Sequence, residues 1–466
     1  MDLEIRNVSY VYPESENGAL KNIDLKVKHG EFILLAGLSG CGKTTVTRIL
    51  NGLIPGFYGG KIEGEVLLSG HDINEYKSYE LASLIGSVFQ NPRTQFFNVD
   101  TDSEITFGLE NAGVPCGEIN AVLERTTDEL DLCNLRGRDI FKLSGGEKQK
   151  IAFASVYASD PEVYLMDEPS ANLDTAGIDE LRKVLEKIKE KGKTVIVAEH
   201  RLYYLAELVD RVVYFKDGKI EKEMDGGTFR SMDTDSLNGM GLRTNRYIGN
   251  AALDHHFEDA GKDEVSICLK DLSVDLGARR VLRSLNLEFK KGRICCVTGK
   301  NGVGKSTLLR TLCGLVKKSE GRILLDGKDA SPRELKKRVF MVMQDVNYQL
   351  FADSVLNECV LGTKKRNIEH AEKVLEEMGL AGFKDRHPNT LSGGQKQRLA
   401  IAVSLMMDKD ILLFDEPTSG LDHGNMLICA GVLKKLAAKG KTVIVVTHDE
   451  EFIECCRGDI VNLKSN

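Results

Sequence analysis

The sequence of 466 residues lacks the features that would place it in several large classes of protein. No apolar run approaches the roughly 18 residues that a membrane-spanning helix needs. The sequence passes from Met1 straight into a strand-like segment, which predicts that there is no signal peptide. There is no tryptophan, and the eleven cysteines include no C-x-x-C pair, so neither a disulfide framework nor a zinc site is indicated. We expect a cytosolic protein that meets a membrane only through a partner.

The balance of charge argues against one further class of partner. The net charge is −7 and the isoelectric point is about 5.9, which is the wrong sign for a protein that binds mainly to a nucleic-acid backbone. Hydrophobic residues make up 42% and charged residues 29% of the chain, as in ordinary globular proteins. The length predicts two domains of roughly 200 residues, each large enough to bury its own core.

One set of five motifs occurs twice, in the same order. Each set has a glycine-rich loop ending in lysine and a hydroxyl residue, a glutamine after an apolar run, Leu-Ser-Gly-Gly, Asp-Glu-Pro after another apolar run, and a histidine. The sets are Gly37–Thr44, Gln90, Leu143–Gly146, Asp167–Glu168 and His200, and then Gly299–Ser306, Gln344, Leu391–Gly394, Asp415–Glu416 and His448.

The spacing of the two sets indicates an internal duplication. The last three motifs of the second set each lie 248 positions after their counterparts, whereas the two lysines of the glycine-rich loops are 262 positions apart. The first copy is therefore longer upstream of its Leu-Ser-Gly-Gly motif. We predict a first domain over residues 1–228, a second over residues 265–466, and a linker over residues 229–264, which holds several glycines and no sustained apolar period.

Short apolar runs precede most of these motifs. Runs of this kind are typical of strands buried on both faces of a parallel sheet, and helical segments alternate with them, which predicts an α/β fold. The predicted strands are 32–35, 163–166, 195–197, 294–297, 411–414 and 443–446, and the predicted helices include Thr45–Leu50, Ile178–Lys189 and Ala371–Met378.

The two glycine-rich loops have the chemistry of a phosphate-binding loop. Glycines permit backbone angles that let N–H groups converge on phosphates at a helix N-terminus. Lys43 and Lys305 would reach the β- and γ-phosphates, and the hydroxyls of Thr44 and Ser306 would ligate Mg²⁺. The expected ATP-binding residues are Gly37, Leu38, Ser39, Gly40, Cys41, Gly42, Lys43, Thr44 and Thr45 in the first loop, and Gly299, Lys300, Asn301, Gly302, Val303, Gly304, Lys305, Ser306 and Thr307 in the second.

The paired carboxylates that end the Asp-Glu strands are candidates for catalysis. Asp167 and Asp415 would hold Mg²⁺, and Glu168 and Glu416 are placed to polarise the attacking water. Two solvated acids at a strand end are the alternative. The same Pro after each pair argues against that alternative.

The glutamines and histidines are assigned by their place in each set. Gln90 and Gln344 would touch both Mg²⁺ and water, and His200 and His448 would hydrogen-bond the γ-phosphate. Alone, each of these residues would usually be structural.

The Leu-Ser-Gly-Gly motifs each precede a helical segment. Serine is a favoured N-cap, and a helix N-terminus attracts anions, so these segments are expected to bind phosphate. One copy is not expected to aim this helix at its own loop. Head-to-tail pairing would set Lys43 against Ser392 and Lys305 against Ser144. The expected contributors are Ser144, Gly145, Gly146 and Glu147, and Ser392, Gly393, Gly394 and Gln395.

This five-part set resembles that of the ABC ATPases. The resemblance implies two tandem P-loop, RecA-like ABC domains. Each would carry an antiparallel β subdomain and a helical signature subdomain, with two ATPs and Mg²⁺ bound between the domains. It also implies an adenine-stacking aromatic, whose position matches Tyr12. Leu276 takes that place in the second copy, which predicts ATP binding weaker by about 1 kcal/mol there.

Within the ABC proteins, several segments resemble the ATPases of energy-coupling factor (ECF) importers. These segments are Val88–Phe97, Phe107–Asn111, Asn51–Pro55 and Met343–Phe351. The resemblance implies a fused ATPase that powers import of a vitamin or metal ion from the cytoplasmic face of the membrane. Its partners would be a transmembrane T component and a small solute-binding S component.

Acidic residues after each glutamine are candidates for docking a T component, or else they are only solvated acids. They are Asp100, Asp102, Glu104, Asp353 and Glu358. Two rival functions remain open at this stage. One is the ATPase of another ABC importer, such as a sugar importer, and the other is a soluble ABC ATPase that acts on ribosomes or DNA. The linker lacks a long charged helix, and the acidic balance also favours transport over the second rival.

Overall fold

A computed structural model describes residues 1–13, 18–249, 264–277, 279–363 and 366–464. The chain divides into two compact units, Met1–Tyr247 and Ile248–Asn466. Most of the later part of the predicted linker, residues 250–263, lies outside the described residues.

The first unit contains two sheets. The four-stranded sheet has the order β2-β1-β4-β5 and is antiparallel, and the six-stranded sheet has the order β10-β9-β3-β8-β7-β6 and is parallel except for β10. The strands are β1 Leu3–Val11, β2 Leu20–Val27, β3 Phe32–Gly37, β4 Lys61–Leu68, β5 His71–Asp72, β6 Ile85–Val88, β7 Val163–Asp167, β8 Thr194–Ala198, β9 Arg211–Lys216 and β10 Lys219–Asp225.

Nine α-helices lie in the described part of this unit. They are α1 Lys43–Leu50, α2 Leu53–Gly56, α3 Ser78–Leu84, α4 Thr101–Asn111, α5 Cys116–Glu129, α6 Gly145–Ala158, α7 Thr175–Glu190, α8 Gly226–Ser231 and α9 Thr234–Gly239.

The central strand β3 is buried on both faces, as its continuous apolar run predicts. Phe32 and Leu34 pack into a core with α6 and α7, while Ile33 and Leu35 pack into a second core with α1 and the antiparallel sheet. Helices α4 to α6 form a third apolar cluster, which is the helical subdomain. The predicted α/β class, with an antiparallel β subdomain and a helical subdomain, is confirmed.

The second unit repeats this plan. Its antiparallel sheet has the order β12-β11-β14-β15, and its second sheet, β16-β17-β18-β13-β19, is entirely parallel. The strands are β11 Val265–Leu276, β12 Arg279–Lys290, β13 Ile294–Thr298, β14 Glu320–Leu325, β15 Lys328–Asp329, β16 Val339–Val342, β17 Ile411–Asp415, β18 Thr442–Val446 and β19 Asp459–Asn462, and the helices are α10 Lys305–Leu312, α11 Pro332–Arg338, α12 Val355–Val360, α13 Ile368–Glu377, α14 Gly393–Met406, α15 His423–Ala438 and α16 Glu450–Cys456.

The start of the predicted linker belongs to the first unit. Phe229, Leu237 and Leu242 are buried in the same core as Phe32, and Tyr214 Oη donates a hydrogen bond of 2.6 Å to the carbonyl oxygen of Met240. The segment up to Tyr247 is therefore part of the first compact unit, where these three apolar side chains are buried while Tyr247 is 52% exposed. In the part of the chain that the structure describes, no helix is long and apolar enough to cross a membrane.

Candidate functional site

The topology of the first unit brings four motifs to one edge of its parallel sheet. Strands β6, β7, β8 and β3 are neighbours and run in the same direction, so their carboxyl ends meet. Gln90, Glu168, His200 and Lys43 follow these four strands closely along the chain. The carboxyl edge of a parallel sheet is where ligands of α/β proteins bind.

Lys43 starts α1 and turns back over the loop that precedes it. Its Nζ donates hydrogen bonds of 2.9 Å to the carbonyl oxygens of Gly37 and Leu38. Gly37 has a φ of 148°, and a Cβ there would collide with the carbonyl oxygen of Phe215. The loop therefore needs glycine at this point, and the buried ammonium of Lys43 is held at the loop's centre.

Cys41 fills space beneath this loop. The thiol is buried, and burial raises its pKa, so it is a weak nucleophile in this state. Its side chain lies close to Gly37, which leaves no room for a Cβ on that glycine. The side chain at this position acts as a packing residue.

Glu168 is the centre of the polar cluster in the first unit. Gln90 Nε2 donates a 2.8 Å hydrogen bond to Glu168 Oε2, and His200 Nε2 lies 3.8 Å from Glu168 Oε1. Thr44 Oγ1 donates to Asp167 Oδ1 at 3.1 Å. The structure thus brings together the predicted water-polarising glutamate, the glutamine, the histidine and the predicted Mg²⁺ ligands.

Burial controls the charge of this cluster. It raises the pKa of Glu168 to about 8, with further contributions from the nearby carboxylates of Asp167 and Glu199. Burial also lowers the pKa of His200 well below its usual value, and the cations of Lys43 and Arg243 add to this effect. A neutral His200 can accept a hydrogen bond from Lys43 Nζ, which lies 3.4 Å from its Nε2.

The second unit repeats the contacts of the lysine and of the histidine. Lys305 Nζ donates to the carbonyl oxygens of Gly299 and Lys300 at 2.6 and 3.1 Å. His448 Nε2 lies 3.7 Å from Glu416 Oε1, close to the corresponding distance in the first unit. Gln344 follows β16 as Gln90 follows β6, and its side chain is exposed.

The carboxylates that end β7 and β17 fit a role in holding Mg²⁺. Asp415 is buried, and its Oδ1 has no hydrogen-bond partner among the described residues. Burial raises the pKa of this group, a shift that the Ser306 hydroxyl partly opposes. No group of three or more His, Cys, Asp or Glu side chains in the described ranges could hold a metal ion alone. Mg²⁺ typically takes one or two carboxylates together with phosphate oxygens and water, so this sparse donor set suits it.

The predicted phosphate-binding helices have serine N-caps in both units. Ser144 caps α6 through a 3.3 Å bond from the Glu147 N–H to its Oγ, and Ser392 caps α14 through a 3.4 Å bond from the Gln395 N–H. Glu147 Oε2 accepts from the Ser144 N–H at 2.8 Å and from its Oγ–H at 2.7 Å. Glu147 is therefore part of a capping box. This explains how a glutamate is accommodated next to an expected phosphate site.

Tyr12 lies in an aromatic cluster beside the first phosphate loop. Its hydroxyl is 3.3 Å from Thr45 Oγ1 and accepts a 3.0 Å hydrogen bond from Arg48 Nη1. Its ring packs edge-on against Tyr10 at 4.8 Å between centroids, and the Arg48 guanidinium lies over the ring of Tyr58. No sequence pattern predicts the contact between Arg48 and Tyr12, because it forms only when the folded chain brings α1 close to the end of β1.

We expect Tyr12→Ala to weaken ATP binding at the site built on Lys43 by about 1 kcal/mol, roughly fivefold in Kd. The second site is disabled with Lys305→Ala, and ATP is titrated by calorimetry. Leu276→Ala in a Lys43→Ala background is the matched control and is expected to change the Kd little, because the exposed Leu276 offers no ring. Equal Kd values for the two unmodified sites would contradict the predicted difference.

The acidic residues proposed to receive basic side chains are occupied within their own unit. Glu104 is buried and accepts hydrogen bonds from the Phe97 and Asn98 N–H groups at 3.0 and 2.8 Å. Asp102 pairs with Arg136, and Asp100 caps α4 by accepting from the Ser103 N–H.

The corresponding acidic residues of the second unit are also hydrogen-bonded within their own unit. The buried Glu358 accepts from the N–H groups of Phe351 and Ala352, and Asp353 accepts from the Asn357 side chain. The docking hypothesis is thus wrong for Glu104 and Glu358. The backbone N–H groups of the preceding loop donate hydrogen bonds to each of these two carboxylates. The spacing of acidic residues in the sequence does not reveal such contacts.

A groove lies beside Gln90 in the first unit. Its cavity has a volume of about 480 Å³ and is lined by residues of α2, of the segment after β6 and of α4. Phe97 is 74% exposed at this groove, and its ring stacks on Phe107 with 4.9 Å between centroids. In the sequence this feature corresponds to the aromatic pair Phe96-Phe97, which ends the ECF-like segment around Gln90.

Comparisons with known proteins agree with this geometry. The sequence matches the family described as ABC transporter over residues 20–171 and again over 282–419. A candidate ABC transporter ATP-binding protein of Treponema denticola is 47% identical over 97% of this chain and 93% of its own length. A candidate HMP/thiamine import ATP-binding protein of Bacillus subtilis is 32% identical over 97% of this chain and 88% of its own length. Among solved structures, a complex of an archaeal ribosome recycling factor with a ribosomal stalk protein matches 98% of this chain and 87% of that chain, at 25% identity and a TM-score of 0.64.

Proposed function

Because the chain belongs to the ABC transporter family, we propose that it powers import of a vitamin or metal ion through an ECF-type transporter. ATP-binding domains of this family are ATPases coupled to transport, so the chain's reaction is the hydrolysis of ATP to ADP and phosphate. The observation that carries the finer proposal is the relative named for HMP/thiamine import, which aligns with 97% of this chain. The ECF-like segments around Gln90 support it.

In this proposal each unit supplies one phosphate cradle. Lys43 and Lys305 neutralise the β- and γ-phosphates, and the loop N–H groups bind phosphate oxygens. Mg²⁺, held by Asp167 with Thr44 and Gln90 and by Asp415 with Ser306 and Gln344, would offset the phosphate charge.

The residues around each aspartate then prepare the attacking water. Glu168 and Glu416 accept a hydrogen bond from it and so orient it towards the γ-phosphate. Gln90 holds Glu168 by its 2.8 Å hydrogen bond, and the ring N–H of the neutral His200 can donate a hydrogen bond to the γ-phosphate. In the second unit His448 is placed in the same way beside Glu416.

The phosphate-binding helices are proposed to act in trans. Serine-capped α6 would complete the site built on Lys305, and α14 would complete the site built on Lys43. The support is electrostatic, because each helix presents a capped N-terminus that favours an anion. ATP would then favour the closed pair of units and hydrolysis the open one.

The groove beside Gln90 is proposed to receive a cytoplasmic helix of the T component. The groove is apolar at Phe97 and Phe107, and its neighbour Gln90 touches Glu168. A helix seated there would therefore lie next to a residue of the ATP site, which is what coupling of transport to hydrolysis requires. The acidic residues of α4 are expected to support the groove wall and not to form the contact themselves.

We expect Phe97→Asp to reduce co-purification of the membrane partner by about tenfold or more, because a carboxylate would be buried in an apolar contact. Phe141→Asp is the matched control, since Phe141 has the same 74% exposure and does not line the groove. The measurement is the amount of membrane protein recovered with the tagged chain. Equal recovery of partner with both variants would contradict the assignment of the groove.

The deciding experiment is to purify the tagged chain from detergent-solubilised membranes and to identify the associated proteins by mass spectrometry. A T component together with a small solute-binding membrane protein is the expected result. A permease of another importer class would overturn the ECF assignment. Recovery of ribosomal proteins without membrane proteins would favour the alternative raised by the likeness to a ribosome recycling factor.

A further inference from the structure

A buried carboxylate next to His200 takes part in none of the steps above. Glu199 directly follows β8, and only 2% of its surface is exposed. Its Oε2 accepts hydrogen bonds from Ser170 Oγ at 2.7 Å and from Tyr204 Oη at 2.9 Å. Its Oε1 accepts from the N–H groups of His200 and Arg201 at 2.7 and 3.1 Å. A buried carboxylate is tolerated only with such a set of donors, so each of them is required.

These bonds join two segments that carry reacting groups. Ser170 follows Glu168 by two residues, and His200 is the neighbour of Glu199. The carboxylate of Glu199 therefore ties the segment after the water-polarising glutamate to the turn that holds the histidine. Through these links it constrains the separation of 3.8 Å between His200 Nε2 and Glu168 Oε1.

The second unit makes the same tie with a different residue. The position that corresponds to Glu199 is Thr447, and the carboxylate stands on the other side of the histidine, at Asp449. Asp449 Oδ2 accepts a 2.7 Å hydrogen bond from Thr418 Oγ1, and the Asp449 N–H donates to Thr447 Oγ1 at 3.1 Å. Thr418 follows Glu416 by two residues, as Ser170 follows Glu168.

The two units also differ in an aromatic residue near these carboxylates. Phe452 of the second unit occupies the position of Tyr204, 248 places later. Tyr204 uses its hydroxyl to bind Glu199, whereas Phe452 has no hydroxyl and uses its N–H to bind Asp449 Oδ1 at 3.2 Å. The hydroxyl is present only in the unit where the carboxylate precedes the histidine.

The geometry points to Glu199 and Asp449 as positioning residues that set the distance between the histidine and the water-polarising glutamate in each unit. Two different sequences give nearly the same distance, 3.8 Å in the first unit and 3.7 Å in the second. Neither carboxylate is among the residues assigned above to bind ATP or Mg²⁺. They act through the glutamate and the histidine, so the inference rests on the proposed roles of those two residues.

The duplication itself supplies the test. All variants are made in the full chain with Glu416→Gln, so that turnover reports the site that uses Glu168. Glu199→Thr removes the carboxylate and is expected to lower kcat about tenfold to a hundredfold, because small displacements of reacting groups cost this much. The KM for ATP is expected to stay within about threefold, since the phosphate loop is not altered.

The decisive test is a triple variant that should restore the activity lost in Glu199→Thr. Glu199→Thr/Arg201→Asp/Tyr204→Phe installs the arrangement of the second unit, and we expect it to restore kcat to within about threefold of the parent. Arg201→Asp alone places a second buried carboxylate beside Glu199 and is expected to lower activity. Glu207→Thr is the matched control, because it makes the same change at an exposed glutamate of the same unit.

Thermal unfolding of each variant separates loss of positioning from loss of fold. An unchanged kcat in Glu199→Thr, or a triple variant that melts like the parent and is no more active than Glu199→Thr, would overturn the inference. If Glu199→Thr does not fold, Thr418→Val in a Glu168→Gln background takes its place, because it removes the hydroxyl that donates to Asp449 Oδ2 and keeps the shape of the side chain. A fall in kcat at the site that uses Glu416 is then expected, and an unchanged kcat would overturn the inference. Failure of the proposed role of Glu168 is recognised separately, because Glu168→Gln in the Glu416→Gln background would then leave turnover intact.

Discussion

Replacing both water-polarising glutamates, Glu168→Gln with Glu416→Gln, should reduce ATP turnover by about a hundredfold to ten-thousandfold while ATP binding persists. Loss of a positioned general base has this effect, because a glutamine side chain cannot accept a proton from the attacking water. Glutamine is close in shape to the neutral acid, and burial raises the pKa of Glu168 to about 8, so the fold should tolerate the change. Phosphate release and the Kd for ATP are the two measurements.

Each single replacement tests one site. Glu168→Gln and Glu416→Gln should each slow turnover sharply, because both units keep the complete set of motifs and each site requires its own glutamate. Glu207→Gln, at an exposed position of the first unit, serves as the control and should leave turnover unchanged. Normal phosphate release by the double variant would refute the role of these glutamates, whichever membrane partner is found.

The α/β architecture could be predicted from local sequence patterns, because the predicted strands are present in the structure. The continuous apolar runs around Phe32 and Val163 predict strands buried on both faces, and both strands are fully buried, as the third and the fifth of the six strands of the sheet. Because parallel strands present their carboxyl ends at one edge, the residues that follow these runs had to meet. The cluster of Lys43, Glu168 and His200 could therefore be predicted without any long-range information.

The details that escaped prediction depend on contacts between distant segments. The sequence predicts Glu104 as a docking acid, yet its carboxylate accepts hydrogen bonds from the Phe97 and Asn98 N–H groups of a loop whose course no local rule supplies. The sequence also predicts a linker at Phe229 and Leu237, because helices of six residues are too short to show an apolar period. The tie made by Glu199 could have been found, since comparing the two copies shows a carboxylate exchanged across the histidine.

The proposed head-to-tail pairing predicts which signature serves which site. In a Glu416→Gln background, turnover reports the site built on Lys43, and Ser392→Asp should lower it by about thirtyfold or more. Aspartate is as good an N-cap as serine, so α14 should persist. Its carboxylate would face the γ-phosphate. A like-charge pair at 4 Å costs about 4 kcal/mol at an effective dielectric constant of 20, and half of that suffices for the stated loss.

The matched control is Ser144→Asp with Glu147→Gln, which gives the first signature the same residues as the altered second one. In the Glu416→Gln background this control should change turnover by less than about threefold, because its partner site is already silent. In a Glu168→Gln background the two results should exchange. If Ser144→Asp/Glu147→Gln were instead the harmful change in the Glu416→Gln background, each helix would serve its own loop and the shared-site arrangement would be wrong. Such an exchange of effects between the Glu416→Gln and Glu168→Gln backgrounds is expected only if the two units share their sites. A variant that merely destabilised a helix would lower turnover in both backgrounds.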